Sequence, residues 1–412
     1  PPFSFLPSSQ PTMRTARPLV PRRVLLGVVL VASMVLTDQA FVGTALNGSL
    51  VMSSQQVLVN GVDFQGLVDN MRSLQAQVDR LTKAQSCTPA VDTTSIQGFS
   101  GSSKWFGGVL ADNGKIYSTP VNSGSVLIID PATNTADGTT LAGLTVGLSK
   151  WAGSVLAGNG KIYGVPYHAT SVLIIDPTTN TMDNTTITGL TGLFKWYGGV
   201  LAPNGKIYGM PHTSDSVLII DPATNTTDTT SMMTGVGGSF QWSGGVLAGN
   251  GKIYGLPHSA VSILIVDPAA NTVDVTTITG LSEGNKYLGG VLAGNGKIYG
   301  IPFDSMSVLI IDPATNSIDV TSMVGLSGGS KWLGGVLAGN GKIYGIPYNS
   351  SSVLIIDPTT NTADTTLSVG FIAASKWAGG VLAGNGRIYG IPNSSPGILV
   401  LQQTCSGTQG FY

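Results

Sequence analysis

Two cysteines and three histidines in 412 residues leave little material for redox or metal chemistry. Cys87 and Cys405 stand too far apart to form a CxxC motif. Charge is nearly as scarce: Asp, Glu, Lys and Arg make up 10% of the chain, and the formal net charge of −1 speaks against nucleic acid as a partner. No nucleophile and base pair, no paired carboxylates and no phosphate-cradling loop stand out, so no cofactor is implied. Glycine, by contrast, is abundant at 56 residues. Much glycine with little charge suits short strands joined by tight turns, an all-β chain.

Seven near-copies of one segment occupy the chain from Val91 to Gln403. Each carries an aromatic anchor followed by a version of GGVLAGNGKIYG: Trp105, Trp151, Trp196, Trp242, Tyr287, Trp332 and Trp377, spaced 46, 45, 46, 45, 45 and 45. A period that regular means one structural unit, copied. The sixth copy reads as four strands. Trp332 to Ala338 is an inner strand with small residues, Asn340-Gly341 is a hairpin turn, and Lys342 to Ile346 is a second strand stopped by Pro347. Ser352 to Ile356 is an apolar third strand, Asp357 to Asn361 a turn, and Ala363 to Val369 an outer strand. Four antiparallel strands repeated radially predict a seven-bladed β-propeller; a β-solenoid would not need a hairpin in every unit.

The ends of the chain predict closure. The last copy supplies three strands, ending at Ile398 to Leu401, and its missing outer strand stands at the start, where Asp92, Thr93 and Thr94 match Asp364, Thr365 and Thr366. Cys87 and Cys405 flank this seam and are expected to pair as a disulfide in an oxidising compartment.

Ahead of the ring, residues 1–45 read as upstream residues plus a secretory signal: Met13, then Arg14, Arg17, Arg22 and Arg23, an apolar run over 24–37, and small residues to a cleavage site near Ala45. The run is shorter than the roughly 17 to 25 residues of a spanning helix. Left uncleaved, it would be a membrane anchor. Residues 46–86 read as a linker with a short amphipathic helix, since Phe64, Leu67, Met71, Leu74, Val78 and Leu81 follow a heptad stripe suited to a homo-oligomeric coiled coil. The propeller then spans 87–405, with a tail at 406–412. Asn-X-Ser/Thr triplets at Asn47, Asn184, Asn225, Asn349 and Asn393 are glycosylation candidates in an exported chain.

The hydrophobic strand running into Asp-Pro-Ala-Thr-Asn-Thr at Asp130 to Thr135, with Gly-Lys-Ile-Tyr at Gly114 to Tyr117, resembles the YVTN-type propeller repeat of cell-surface and surface-layer proteins. Kelch repeats are a weaker match, because no Trp stands two residues after Asn134. The resemblance covers the whole repeat region and implies a blade, not a reaction.

Two sets of basic residues recur. Lys115, Lys161, Lys206, Lys252, Lys297, Lys342 and Arg387 share a face with Asp130 and its equivalents and read as solvated cross-strand pairs. Lys104, Lys150, Lys195, Lys286, Lys331 and Lys376, each beside an aromatic anchor, lie on the opposite face near the channel mouth, with Gln241 in the seventh place. This Lys-Trp face would bind an anion or stack on sugars, or its aromatics would pack between blades. Departures from the repeat collect there too: His168, His212, His258, Asp215, Asp304 and Glu283. Equivalent loops rotated by about 51° in a seven-fold ring stand too far apart for three imidazoles to share one ion at about 2.1 Å. A secreted or cell-surface scaffold binding a glycan, matrix component or protein is the first expectation, because high symmetry with few breaks favours a multivalent binder. A lyase or hydrolase at the channel mouth and a structural cell-covering protein are the alternatives.

Overall fold

The computed structural model describes residues 42–45, 48–52, 57–59, 62–63, 88–282, 284–370 and 372–404. They fall in two units, within Pro1–Thr82 and Lys83–Tyr412. In the first, strands Val42–Ala45, Gly48–Met52, Val57–Val59 and Val62–Asp63 pair successively in one antiparallel sheet. Part of the stretch read as linker is therefore strand, in keeping with the hairpin dipeptide Asn60-Gly61 between the last two. The apolar run 24–37, the helix expected over 64–81, and Asn47, Cys87, Glu283 and Cys405 lie outside the described residues. Among those described, no helix is long and apolar enough to cross a membrane.

The second unit is seven four-stranded antiparallel sheets. Blade 1 runs Trp105–Leu110, Ile116–Pro120, Leu127–Asp130 and Thr135–Asp137 from axis to rim. Blades 2 to 6 repeat it from Trp151, Trp196, Trp242, Tyr287 and Trp332. Blade 7 takes Trp377–Leu382, Ile388–Pro392 and Leu399–Thr404, and its outer strand is Thr88–Asp92 from the other end of the repeat region, in register Val400 to Asp92 through Thr404 to Thr88. The chain forms a closed seven-bladed β-propeller.

Local chemistry sets each strand's length. Asn113-Gly114 turns the first hairpin with Gly114 at φ +77°, and Asn134 at φ +55° turns the third strand into the fourth. The outer strands are shorter than expected, three residues in blade 1, because Asp137 ends them: its Oδ1 accepts from the Thr139 amide at 2.7 Å and the Thr140 amide at 3.1 Å, which are then lost to the ladder. The core lies between blades. Val155, Tyr163, Val165 and Ile174 of blade 2 pack against Trp196, Ile207, Leu218 and Ile220 of blade 3. At the closing joint, Tyr389, Ile391 and Val400 of blade 7 meet Trp105, Ile116 and Leu127 of blade 1.

Every inner strand shifts register just after its anchor, between Trp196 and Gly199 in blade 3 for example. A glycine at positive φ occupies each shift: Gly107, Gly153, Gly198, Gly244, Gly289, Gly334 and Gly379. They form a backbone ring about the axis. A Cβ on Gly198 would stand 2.9 Å from the Cα of Gly244, and one on Gly379 would stand 3.1 Å from the Cα of Gly107, which completes the circle.

Candidate functional site

The propeller has a turn face, made of Asn-Gly and Asp-Pro turns, and a loop face, made of the loops after the second strands and the connections into the next inner strands. The turn face is nearly the same in every blade. Lys115 meets Asp130 at 3.5 Å, and five equivalent pairs stand at 3.3 to 3.7 Å, all partly solvated. Such exposed pairs contribute less than about 1 kcal/mol each. Beside them Asn113 Nδ2 donates to Tyr117 Oη at 3.0 Å and to the Pro177 carbonyl of the next blade at 3.2 Å. Across the closing joint Asn385 donates to the Pro131 carbonyl at 3.0 Å. These contacts stitch blade to blade.

On the loop face, the Lys and Trp side chains prove to be interior. All six lysines are buried, none more than 7% exposed. The ammonium of Lys150 donates to the carbonyls of Val121, Ser123 and Gly147 at 3.0 to 3.1 Å, and that of Lys195 to Tyr167, Ala169 and Gly192 at 2.9 to 3.2 Å. Lys104 reaches Ser395 and Gly101, Lys286 reaches Ala260, Lys331 reaches Phe303, and Lys376 reaches Ala373. A lysine thus clips its own loop, and in most joints also the loop of the preceding blade. Burial lowers the pKa of Lys104, Lys150, Lys195 and Lys376 to about 8. The anchors are buried as well. Trp105, Trp151, Trp196, Trp242, Trp332 and Trp377 donate their indole N–H to a carbonyl of their own blade at 2.7 to 2.9 Å, while Tyr287 makes a hydroxyl contact to Ser307 at 3.4 Å. Neither set is presented for stacking on a sugar.

The departures behave differently. His212 is buried, with Nδ1 3.1 Å from the Trp242 carbonyl and 3.0 Å from Ser243 Oγ, and burial pushes its pKa down to about 4. His258 contacts the Phe240 carbonyl through Nδ1 at 3.2 Å, and burial lowers its pKa too. His168 is lowered by burial and by the nearby Lys195. In each ring burial is the first cause that disfavours the charged form. The His212 and His258 ring centres stand 5.4 Å apart, and among the described residues no group of three His, Cys, Asp or Glu could hold a metal ion. Asp304 accepts from the Ser330 amide, and Asp215 is exposed. Of the glycosylation candidates, Asn184 and Asn225 are exposed and Asn349 half-buried, whereas Asn393 is buried with Nδ2 donating to the Trp105 carbonyl at 3.2 Å.

Reasoning on charged residues and histidines missed the aromatic setting of these rings. Tyr167 stacks on His168 at 5.1 Å, Tyr197 stacks on His212 at 5.2 Å, and Phe194 and Phe240 pack edge-on to His168 and His212 at 4.2 and 4.9 Å. Phe106 of blade 1 reaches past Ala152 to Tyr197 of blade 3 at 4.8 Å, and with Leu288, Leu333, Ala378, Phe303 and Tyr348 they form an apolar cluster of inner-strand and loop residues at the mouth. A recurring Ser just before the buried Lys, replaced by Phe in blades 3 and 4, was the signal in the sequence.

No family model matches the chain, and no curated protein sequence matches it. Solved structures do. A streptogramin B lyase superposes with a TM-score of 0.61 at 13% identity, covering 77% of this chain and 98% of its own. A catalytically inactive virginiamycin B lyase from Staphylococcus aureus, with quinupristin, gives 0.63 at 12% identity over 76% and 99%. The extracellular domain assigned to a hybrid two component system of B. thetaiotaomicron gives 0.58 at 14% over 78% of this chain and 44% of that one. At these identities the likeness is one of fold.

Proposed function

We propose that the propeller is the binding module of a secreted or cell-surface protein, a YVTN-like scaffold that takes a glycan, matrix component or protein ligand on its loop face. The observation that carries this reading is the unequal treatment of the two faces. Among the described residues, the nine exposed large apolar side chains, Val146, Leu148, Leu193, Met233, Phe240, Val261, Met306, Val324 and Ile372, sit in the loops and connections of the loop face and none in the turns of the other. Exposed apolar groups gathered on one face mark interaction surface. The buried lysines and tryptophans hold that face rigid, and the variable loop tips supply the contacts. Similar solved structures that include extracellular domains are in keeping with this location.

The test is a glycan array with a matrix-protein panel, probed with the full chain. A specific signal that drops at least tenfold in Leu148→Asp and Met306→Asp, with unchanged melting, is the expected result. Silence across both panels would leave the ring a structural element of a cell covering.

A further inference from the structure

A second side-chain clip recurs in four of the seven joints of the loop face, and it is missing from the three consecutive joints between blades 2 and 5. In four joints, the second residue after the Pro that ends a second strand accepts from the backbone amide of a Ser in the next blade. Ser394 Oγ accepts from Ser103 at 3.2 Å, Asn122 from Ser149 at 2.9 Å and Asn349 from Ser375 at 2.7 Å, while Asp304 accepts from Ser330. Each of these serines has positive φ, between 45° and 54°. In the joint from blade 4 to 5 the pair is Ser259 with Asn285, and Ser259 Oγ lies against His258 Nδ1 at 3.5 Å instead; in the joints from blade 2 to 3 and from blade 3 to 4 the pairs are His168 with Phe194 and Thr213 with Phe240. Among the described residues, three buried side-chain polar atoms lack a partner: Ser154 Oγ, His168 Nε2 and Thr213 Oγ1. Two of the three are the acceptors of these altered clips.

The donors are altered as oddly. Phe194 and Phe240 keep the left-handed conformation, φ 55° and 59°, that a bulky L-residue adopts only under strain. Strain and unpaired buried polar atoms in one sector are not what packing alone selects; together they point to a site. Lys195 keeps the recurring buried cation in the blade 2 to 3 joint, but the blade 3 to 4 joint lacks it, because Gln241 stands in place of the lysine and its amide donates to Ser239 in its own loop at 3.3 Å. His168 Nε2 and Thr213 Oγ1 are thus left with hydrogen-bonding capacity that the fold does not use. Phe194 and Phe240 stand 5.5 Å apart at 70°, and Phe240 is about one-third exposed at 36%.

We propose that the joints of blades 2, 3 and 4 form a binding site for a small, uncharged, ring-bearing molecule with an O–H or N–H group, which donates to His168 Nε2 or Thr213 Oγ1 while its ring lies against Phe194 and Phe240. The Asp215 carboxylate in the same loop is turned to solvent and the Lys195 ammonium is held by three carbonyls, so neither is offered to a charged ligand. This inference rests on the loop face being a binding face, and it names the ligand chemistry of one sector.

The test uses the full chain and four probes, 4-cresol, indole and their methylated counterparts 4-methylanisole and 1-methylindole, with affinities read by ligand-observed NMR. Molecules of this size bind at best in the millimolar to sub-millimolar range. Cresol and indole are expected to bind, and the methylated probes about tenfold more weakly, as for one lost buried hydrogen bond. Restoring the repeat with His168→Asn, Phe194→Ser, Thr213→Asn and Phe240→Ser should weaken binding at least about tenfold and leave the melting temperature equal or higher, since it removes strain and completes both clips. The two pairs are also made separately, as His168→Asn with Phe194→Ser and Thr213→Asn with Phe240→Ser. No binding of either donor probe below about 10 mM, equal binding of the methylated probes, or a restored chain that melts lower would each overturn the proposal. A negative result here beside a positive array would leave the loop face a macromolecular surface without this sector.

Discussion

Replacing Gly198 by Ala tests whether the axial glycine ring closes the propeller. Two costs add at this site. At φ +73° an L-residue is strained by about 1–2 kcal/mol. The new Cβ would also meet the Gly244 Cα at 2.9 Å and its N at 3.4 Å, backbone atoms that no rotamer change can move. Overpacking of this kind costs about 1–3 kcal/mol more. Gly205 isolates the first cost, for it has φ +77° but nothing within 4 Å of its Cβ. With an unfolding entropy of about 2.1 cal/mol/K per residue over the ring, 1 kcal/mol shifts melting by about 1.5 °C. Calorimetry should then show Gly198→Ala lowering Tm by about 3–7 °C and Gly205→Ala by about 1.5–3 °C. Equal shifts for the two variants would refute the close axial contact.

Two further outcomes are expected. Lys150→Met leaves the carbonyls of Val121, Ser123 and Gly147 without their ammonium and should cost about 2–4 kcal/mol by denaturant unfolding, whereas Gln241→Lys, which supplies a cation where blade 4 has none, should stabilise by up to about 1 kcal/mol. Acid should loosen the rim: the hydroxyls of Thr186, Ser231 and Ser322, joined by neighbouring backbone amides, hold Asp183, Asp228 and Asp319 down at about 2, below the ordinary 3.8. A carboxylate pKa depressed by folding adds stability that is complete above its unfolded value and is lost on acidification through the folded one. Melting temperature should therefore fall between about pH 4 and pH 2, and replacing all three with Asn should flatten that slope.

The blade count, the four-strand unit and the N-terminal closing strand were legible because each follows from local signals repeated seven times: an Asn-Gly hairpin, an Asp-Pro turn and an alternating inner strand. The Lys-Asp pairs were legible for the same reason, as neighbours on adjacent strands. The placement of Lys150 and its equivalents was not, because lysine is rarely buried and its exposure is the natural first assumption. The clue was a fixed offset: Gly101, Gly147, Gly192 and Gly328 each stand three residues before the lysine whose ammonium their carbonyl accepts. The sector around Phe194 and Phe240 escaped because a Ser to Phe change looks like drift until the backbone shows both in a left-handed turn. Size compensation between blades 1 and 2 was also hidden. Thr119 stands where Val165, Met210 and Leu256 stand in the next blades, and Ser154 stands where a Cβ on Gly199 would press within 2.8 Å of Val165.

The seam has a mechanical consequence. Thr88 pairs with Thr404, so the strand that enters the ring and the strand that leaves it do so side by side, at one corner of blade 7. Tension applied across the two ends of the ring would open that ladder pair by pair, like a zipper, instead of shearing its five pairs together. The ring would then owe its mechanical strength to one corner, and single-molecule stretching of the full chain would show it as a low-force, stepwise opening of this ladder.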